Sequence, residues 1–488
     1  MSKLQKYESI IKEKRKNTPF RVFLKEIASR YNLNLYKRDT MITPYNPDFK
    51  WKLVNLEEFE NLRLDYDKLW KDYDFNIDFW ENYRLLAGNI HYPAFALWWV
   101  NENSNYGYNI LNVKNWYLCF EVCFCENVAY SANIKDNCKN VFNSLMVWDN
   151  SENIYQSVWI YKSYNVFYSN FIFDSNNIWF STNLIWCNEC LFCNDLQNQS
   201  YCIKNKNYSK DEYIKLKNEI FSAKKVFLEL YKKLQLNNSQ LISKNSSWKF
   251  IIKSDNVENW NFIYNVNNGR NVMFAWTIEW NVNFFDAASC WSPRGNDYYW
   301  VISAWAWDNY FCSTDIIWWT NIYYSYYLEN CSFCLGCIWL KNKTYCILNK
   351  EYSKEEWYEI ADKIFAQMDK GWILWDFFPW DLNPFYFNDT VAYLLDDSFT
   401  KEEVIKDWHL WRDEKIKADI SEWVEVIEAK NLDITNYDES ILEKVILDSD
   451  WNYYRIIKME YDFLKKYNLP LPETHWMDRI KLGFRFNR

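Results

Sequence analysis

The sequence predicts a mainly β protein with α flanks: two parallel β-solenoid segments of about twelve residues per coil, each capped by a helix, with helical N- and C-terminal regions. Three observations carry this: a motif that recurs every twelve or thirteen residues, an inward alternation of large and small side chains, and a duplicated segment that ends both repeats. Aligned on a recurrent Asn, the motif reads NWYLC at 115, NVAYS at 127, NVFNS at 140, NIYQS at 153, NVFYS at 165, NIWFS at 177 and ECLFC at 189. Self-similarity at a fixed short period is the signature of a solenoid.

Within each unit the second slot is apolar (Val128, Val141, Ile154, Val166, Ile178) and the fifth is small (Cys119, Ser131, Ser144, Ser157, Ser169, Ser181, Cys193). The eighth is apolar again (Val122, Ile134, Val147, Ile160, Ile172, Leu184, Leu196), and the eleventh tends to be small or polar (Cys125, Ser163, Ser175, Cys187). An inward residue at every third position does not fit an amphipathic helix, whose apolar face recurs at three and four. It fits a narrow coil with tight corners; two units per coil of about 24 residues is the structural alternative. The spacing resembles the coils of insect antifreeze solenoids, but the outward slots carry Asn and aromatics instead of a Thr pair, so ice binding is not expected.

The second copy, from about 255 to 347, is less regular: NVENW at 256, NVMFA at 271, NDYYW at 296, NYFCS at 309, NIYYS at 321 and NCSFC at 330. Each copy ends alike. Leu196 to Tyr213 (LQNQSYCIKNKNYSKDEY) matches Leu340 to Trp357 (LKNKTYCILNKEYSKEEW) at a constant offset of 144. Ser209 with Glu212, and Ser353 with Glu356, form capping boxes that open helices at about 210–235 and 354–369. A solenoid end exposes strand edges and apolar interior, so a cap is physically required.

The resulting organisation is a helical and irregular region at 1–95, solenoid copy 1 at 96–203, a capping helix and linker at 204–250, solenoid copy 2 at 251–347, a capping helix at 348–370 and an α-helical region at 371–488. Residues 235–248 are the best linker candidate. The stretch from Tyr73 to Leu97 is expected to pack on the first coil. SFTKEEVIKD (398–407), with Thr400 as N-cap, and DESILEKVILD (438–448) read as helices, and the chain ends in a Pro-broken helix and a basic tail.

Composition bounds function. The net charge of −9 disfavours nucleic-acid binding that depends on neutralising phosphates. The charged N-terminus lacks an apolar signal core and no long apolar run appears, so a cytoplasmic protein with reduced cysteines and no membrane contact is expected. Glycine is scarce, 7 of 488 residues, against a usual share of about 7%, whereas Trp occurs 30 times. We read many of these Trp as glycines in the cell of origin, written as Trp because a reassigned UGA codon was translated with another table; a genuinely Trp-rich protein is the alternative. Trp372, Trp375 and Trp380 stand beside turn formers, and Trp260 and Trp300 fall in the small fifth slot, where an indole does not fit.

The linked elements LYKR and PYNPD near 35–48, the repeated Asn units, the YCI-x-NK-x-YSKEE caps, FFPWDLNPFYFNDTVA (377–392) and EYDFLKKYNLPLP (460–472) resemble a family of uncharacterised candidate-phylum bacterial proteins. Some members are labelled "caib/baif family", which no chemistry in this chain supports. The resemblance implies Cys-rich, zinc-ribbon-like segments near both ends. This chain departs from that, with no Cys before Cys119 or after Cys346. Some lineages among those bacteria read UGA as glycine, in accord with the composition.

Two cysteine triplets, Cys187-Cys190-Cys193 and Cys331-Cys334-Cys337, have ligand-like spacing and, with Cys202 or Cys346, the makings of a zinc or iron–sulfur site. Cys190, Cys193, Cys331 and Cys334 read as second- and fifth-slot residues, so stacked buried thiols are the preferred reading and no cofactor is expected. The Asn column (Asn115, Asn127, Asn140, Asn153, Asn165, Asn177) reads as a structural amide ladder at a corner. Outward aromatics such as Tyr155, Phe167 and Tyr168 offer a stacking surface, or pack on helices. His91, His409 and His475 have no catalytic partner at diagnostic spacing, the loop around Gly295 matches no phosphate fingerprint, and Asp174, Asp286, Asp308 and Asp315 form no cluster. The leading expectation is a non-enzymatic repeat scaffold that binds a protein partner or itself through a solenoid face. A carbohydrate-acting β-helix enzyme is the alternative, and nucleic-acid binding through Arg479, Lys481, Arg485 and Arg488 is a weaker one.

Overall fold

The computed structural model describes residues 19–94, 101–221, 321–413 and 420–482 apart from positions 40 and 64, a few residues elsewhere, and only short strands between 240 and 317. It divides into two units, each built from two separate stretches of chain: Ala96–Asn237 with Glu414–Arg488, and Met1–Phe95 with Asn238–Asp413. Each unit holds one solenoid.

In the first solenoid the strands stack in parallel from coil to coil, in registers such as Ile154 with Val166, Ile178 with Cys190 and Cys190 with Cys202. The offset is one motif unit, so a coil contains about twelve residues, not 24. The buried core is made of the second- and eighth-slot side chains, Val128, Val141, Ile154, Val166, Ile178 and Ile134, Val147, Ile160, Ile172, Leu184, together with inward cysteines.

The corners explain the abundance of Asn. From Asn103 to Lys204 every third residue has φ between 45° and 65°, so slots 1, 4, 7 and 10 are left-handed and each inward residue follows a corner. For an L residue this conformation brings Cβ against the carbonyl, and Asn and Asp tolerate it best. Asn fills slot 1 in seven coils of the first solenoid, from Asn103 to Asn177. The two thirteen-residue coils place their extra residue at the fourth corner as consecutive left-handed pairs, Asp136-Asn137 and Asp149-Asn150. Corner amides are satisfied from coil to coil, as with the Tyr168 N–H on the Tyr155 carbonyl (2.9 Å) and the Phe180 N–H on the Phe167 carbonyl (3.1 Å).

The small slots have a second reason beyond size. Each slot-5 hydroxyl donates to the carbonyl two residues earlier and accepts the slot-5 N–H of the following coil. Ser144, Ser157, Ser169, Ser181 and Cys193 thus hang in series from Ser131, with N···Oγ distances of 3.0–3.2 Å. Slot 11 repeats the device from Ser151 through Ser163 and Ser175 to Cys187. A hydroxymethyl group is the smallest side chain that fills the bore and also supplies an acceptor to an N–H sealed from water.

Both caps form as expected. Ser200–Ile203 turns back antiparallel onto Lys206–Asn207, and Thr344–Ile347 onto Lys350–Glu351, which closes the last strand edge. Ser353 and Glu356 form a reciprocal capping box at the start of the Lys354–Lys370 helix, and Ser209 with Glu212 opens Lys210–Phe221. Tyr213 and its duplicate Trp357 are both fully buried under the cap.

The outward aromatic face of the first solenoid is covered by the C-terminal region. In the Lys458–Tyr467 helix, Phe463 packs on Phe142, Tyr155 and Phe167, and Tyr467 packs on Phe167. Glu460, fully buried, accepts from Asn143 and from the Tyr155 hydroxyl (3.1 Å) and pairs with buried Arg479 at 3.0 Å.

Several expectations are corrected. The Phe79–Ala87 helix packs on the second solenoid, through Phe79 and Trp80 against Tyr324, not on the first coil. Residues 438–448 form a 3-10 turn (Glu439–Glu443) and then a strand (Val445–Leu447) between Val426–Glu428 and Tyr453–Tyr454, because the Val445-Ile446 pair is buried in a small sheet. The N-terminal region mixes short helices with two-stranded pairings, and the C-terminal region contains this three-stranded sheet, so neither is purely helical. The linker candidate lies largely outside the described residues, yet Gln240–Leu241 within it already pairs in parallel with Ile251–Ile252. Among the described residues no helix is long and apolar enough to cross a membrane.

The serine ladder yields a direct test. Ser169→Ala removes the acceptor for the Ser181 N–H and is expected to cost about 1–3 kcal/mol in urea unfolding, whereas Ser169→Cys costs clearly less. Equal losses for the two would refute the hydrogen-bonding role.

Candidate functional site

The cysteine clusters lie one coil below each cap. Cys334 pairs in register with Ile322 and Cys346, which puts it in slot 2 and therefore Cys331 in slot 11 and Cys337 in slot 5, the slots of Cys190, Cys187 and Cys193. The expected second- and fifth-slot placement of Cys331 and Cys334 is thereby corrected: Asn330 is a fourth-corner residue that imitates the slot-1 Asn. Cys190 shares thiol hydrogen bonds with Cys187, Cys193 and Cys202, and Cys334 with Cys331, Cys337 and Cys346. Those contacts and burial push the central thiols up, while the hydrogen bond from Cys190 holds Cys187 down to about 7.

Each thiol also behaves like the serine it replaces. Cys187, Cys193, Cys331 and Cys337 point at the carbonyl two residues earlier (3.3–3.6 Å). Cys193 and Cys337 accept the N–H of Asn205 and Asn349 (3.4 and 3.5 Å). Every described cysteine is an unpaired thiol, and among the described residues no group of His, Cys, Asp or Glu is arranged to hold a metal ion.

The Asn column forms a continuous ladder. Each Nδ2 donates to the Oδ1 of the following coil, from Asn103 through Asn115, Asn127, Asn140, Asn153 and Asn165 to Asn177, at 2.8–3.1 Å. Beside it the slot-12 residues Glu102, Lys114, Glu126, Lys139 and Glu152 alternate in charge. The edge thus spends its directional bonds on itself.

Other candidates disperse. Arg479 is buried in its pair with Glu460 and is no solvated tail; Lys481 belongs to the Trp476–Leu482 helix, and Arg485 and Arg488 lie outside the described residues. Asp174 stands at a corner, while Asp286, Asp308, Asp315, Gly295 and Trp260 also lie outside the described residues; Trp300 falls in the Tyr298–Val301 strand, where Val301 pairs with the slot-5 Ser313, so Trp300 stands in the fourth slot and not, as expected, the fifth. Asp433 and Asp438 line a cavity with Glu428, but both cap local turns, onto Thr435 and Ser440.

The structure assembles one site that sequence reasoning missed. A cavity of about 460 Å³ opens between the first coils and the C-terminal sheet. Tyr117 and Tyr130 form its solenoid wall, and Tyr453, Tyr454, Arg455 and His475 face them. The Tyr130 hydroxyl donates to the Arg455 carbonyl and that of Tyr454 to the Pro472 carbonyl, both at 2.7 Å, which fixes the two rings. Arg455 Nη2 donates to the Glu443 carbonyl (3.2 Å), and no carboxylate lines the cavity among the described residues. The only sequence signal was the aromatic third and fourth slots, because the remaining walls come from distant segments between Ile420 and Trp476. Comparisons with protein-family models, curated proteins and solved structures find no match to the chain.

Two outcomes are expected. Cys190→Val and Cys334→Val should each cost less than about 1.5 kcal/mol, since slot 2 otherwise holds Val or Ile, and Cys337→Val should cost more because the Asn349 N–H loses its acceptor. A metal signal near one equivalent, or collapse of the slot-2 variants, would contradict this. Burial and the nearby Arg30 hold His409 down to about 4, below its unfolded value near 6.5. The unfolded chain therefore takes up the proton first, and stability should fall as pH drops from about 6.5 toward 4; His409→Gln should remove that part of the slope.

Proposed function

We propose that the protein is a non-catalytic binding protein that holds a planar, negatively charged small molecule against the coils of its N-terminal solenoid that start at Asn115 and Asn127. The observation that carries this is the cavity between Tyr117, Tyr130, Tyr453 and Tyr454, which has Arg455 in its lining and no carboxylate among the described residues that line it. Aromatic walls select a flat body, and an arginine without an acidic neighbour selects an anionic group. The volume falls within the usual range of about 300–1,000 Å³ for small-molecule sites. The solenoid face first expected to receive a protein partner is here the wall of a small-molecule site, since farther along it Phe463 and Tyr467 cover the aromatic row. Unpaired thiols fit a reducing compartment, and we place the protein in the cytoplasm.

Thermal unfolding against a panel of aromatic carboxylates and nucleoside monophosphates, each with a neutral isostere, tests the reading. Anionic members should raise the midpoint in proportion to ln(1 + [L]/Kd), with Arg455→Ala and Tyr117→Ala abolishing the rise. No shift from any anion, or equal shifts from the neutral isosteres, would overturn it. Turnover of a polysaccharide would instead establish the carbohydrate-acting alternative.

A further inference from the structure

Among the described residues outside the two solenoids, six non-glycine positions have φ in the left-handed region: Asp39, Trp372, Trp375, Trp408, Trp451 and Asn468. Asp and Asn tolerate this conformation through their short polar side chains. Trp has no such means, yet it supplies the other four. Three of these indoles also gain nothing from burial, with Trp372 89% exposed, Trp408 67% and Trp451 72%.

The local hydrogen bonds identify what the backbone at these positions requires. After the Lys354–Lys370 helix, the Trp372 N–H donates to the Asp369 carbonyl (3.1 Å) and the Ile373 N–H to the Met368 carbonyl (3.0 Å). After Lys401–Lys406, the Trp408 N–H donates to Ile405 (2.9 Å) and the His409 N–H to Val404 (3.1 Å). Both are Schellman motifs with Trp at the left-handed position where glycine is the usual residue. The Lys458–Tyr467 helix ends in the same motif, with Asn468 there. Trp451 occupies the left-handed position of the turn joining Val445–Leu447 to Tyr453–Tyr454, where the Asp448 carboxylate accepts the N–H groups of Asp450 and Asn452 (2.9 and 2.8 Å). Glycine is the usual residue at that position too.

Other tryptophans look wholly different. Trp80 and Trp357 lie in helices and are buried, and the Trp357 indole N–H donates to the Cys346 carbonyl (3.1 Å). The duplicate of Trp357 is Tyr213, also buried, so an aromatic ring belongs there. Trp375 is left-handed but buries its ring and bonds its indole N–H to the Tyr7 carbonyl (2.7 Å), so its side chain gives no sign of being surplus.

We propose that Trp372, Trp408 and Trp451 are glycines in the protein as its cell of origin makes it, encoded by UGA read as glycine, whereas Trp80 and Trp357 are true tryptophans. The shortage of glycine, 7 residues beside 30 Trp, is the compositional trace of the same substitution. The inference is independent of the proposed ligand site, whose lining includes Trp423 and Trp476 but none of these three. It bears on function by removing a false lead: the stacked Trp380 and Trp408 rings, 5.6 Å apart and partly exposed, are no platform for a sugar or a partner if Trp408 has no side chain.

The gene gives the first test. UGA is expected at codons 372, 408 and 451 and UGG at 80 and 357; UGG at any of the first three overturns the proposal. The second test uses the recombinant full chain. The triple variant Trp372→Gly, Trp408→Gly, Trp451→Gly should unfold at a higher temperature than the tryptophan chain, while Trp357→Gly should unfold at a lower one. A triple variant that is no more stable overturns the claim that these backbones call for glycine.

Discussion

The bore of the solenoid admits one side chain for every three residues and seals the N–H that follows each corner away from water. Nearly everything else in the chain follows from these two conditions. A left-handed residue at every third position costs a bulky L residue roughly 1–2 kcal/mol, so the corners drift toward Asn and Asp. The sealed N–H needs an acceptor on the adjacent coil, so the narrow slots are Ser, with Cys as the substitute that keeps the geometry. In the wide slots a backbone carbonyl of the adjacent coil meets that need, as with the Cys334 N–H on the Asn321 carbonyl (3.2 Å), so they are free to carry Val and Ile. One stack of coils therefore reconciles dispersion in two columns with hydrogen bonding in the other two.

How far this was legible depended on the range of the interaction. The Val, Ile and Ser columns, the Asn ladder and the capping boxes at Ser209 and Ser353 could be read from the sequence because each repeats or acts within a dozen residues. The corner conformation itself was not read: Asn in slot 1 suggested a ladder, but nothing in Leu118, Tyr130 or Phe180 announces a left-handed backbone that the neighbouring coils impose. The same imitation misplaced Cys331, since Asn330 at the fourth corner looks like Asn at the first. The flanks were misread where tertiary contacts decide. Residues 438–448 have helical spacing, yet Val445 and Ile446 find a sheet, and Arg479 looks like part of a basic tail until buried Glu460 is seen beside it. The cavity at Tyr117 was beyond reach because its walls come from distant segments.

The pairing of segments is itself a constraint. The N-terminal region packs with the second solenoid and the C-terminal region with the first. The first solenoid therefore leaves Phe142, Tyr155 and Phe167 uncovered until the final stretch of chain supplies Phe463 and Tyr467. A charge pair inside this interface gives it register. Glu460 contacts Asn143, Tyr155 and Arg479 together, so a helix slid by one turn would bury a carboxylate without its partners.

That register also shapes the cavity from which the ligand site is proposed. Helix and aromatic row close over the middle coils, and the C-terminal sheet stands off from the coils that start at Asn115 and Asn127, leaving Tyr117 and Tyr130 as a wall with Arg455 across from it. Both sides are stiff: the solenoid wall is hydrogen-bonded to the coil beneath, and the opposite wall is tied to it through the Tyr130 hydroxyl and the Arg455 carbonyl. A cavity held open in this way loses little freedom when a ligand enters, and preorganisation of that kind favours affinity over turnover.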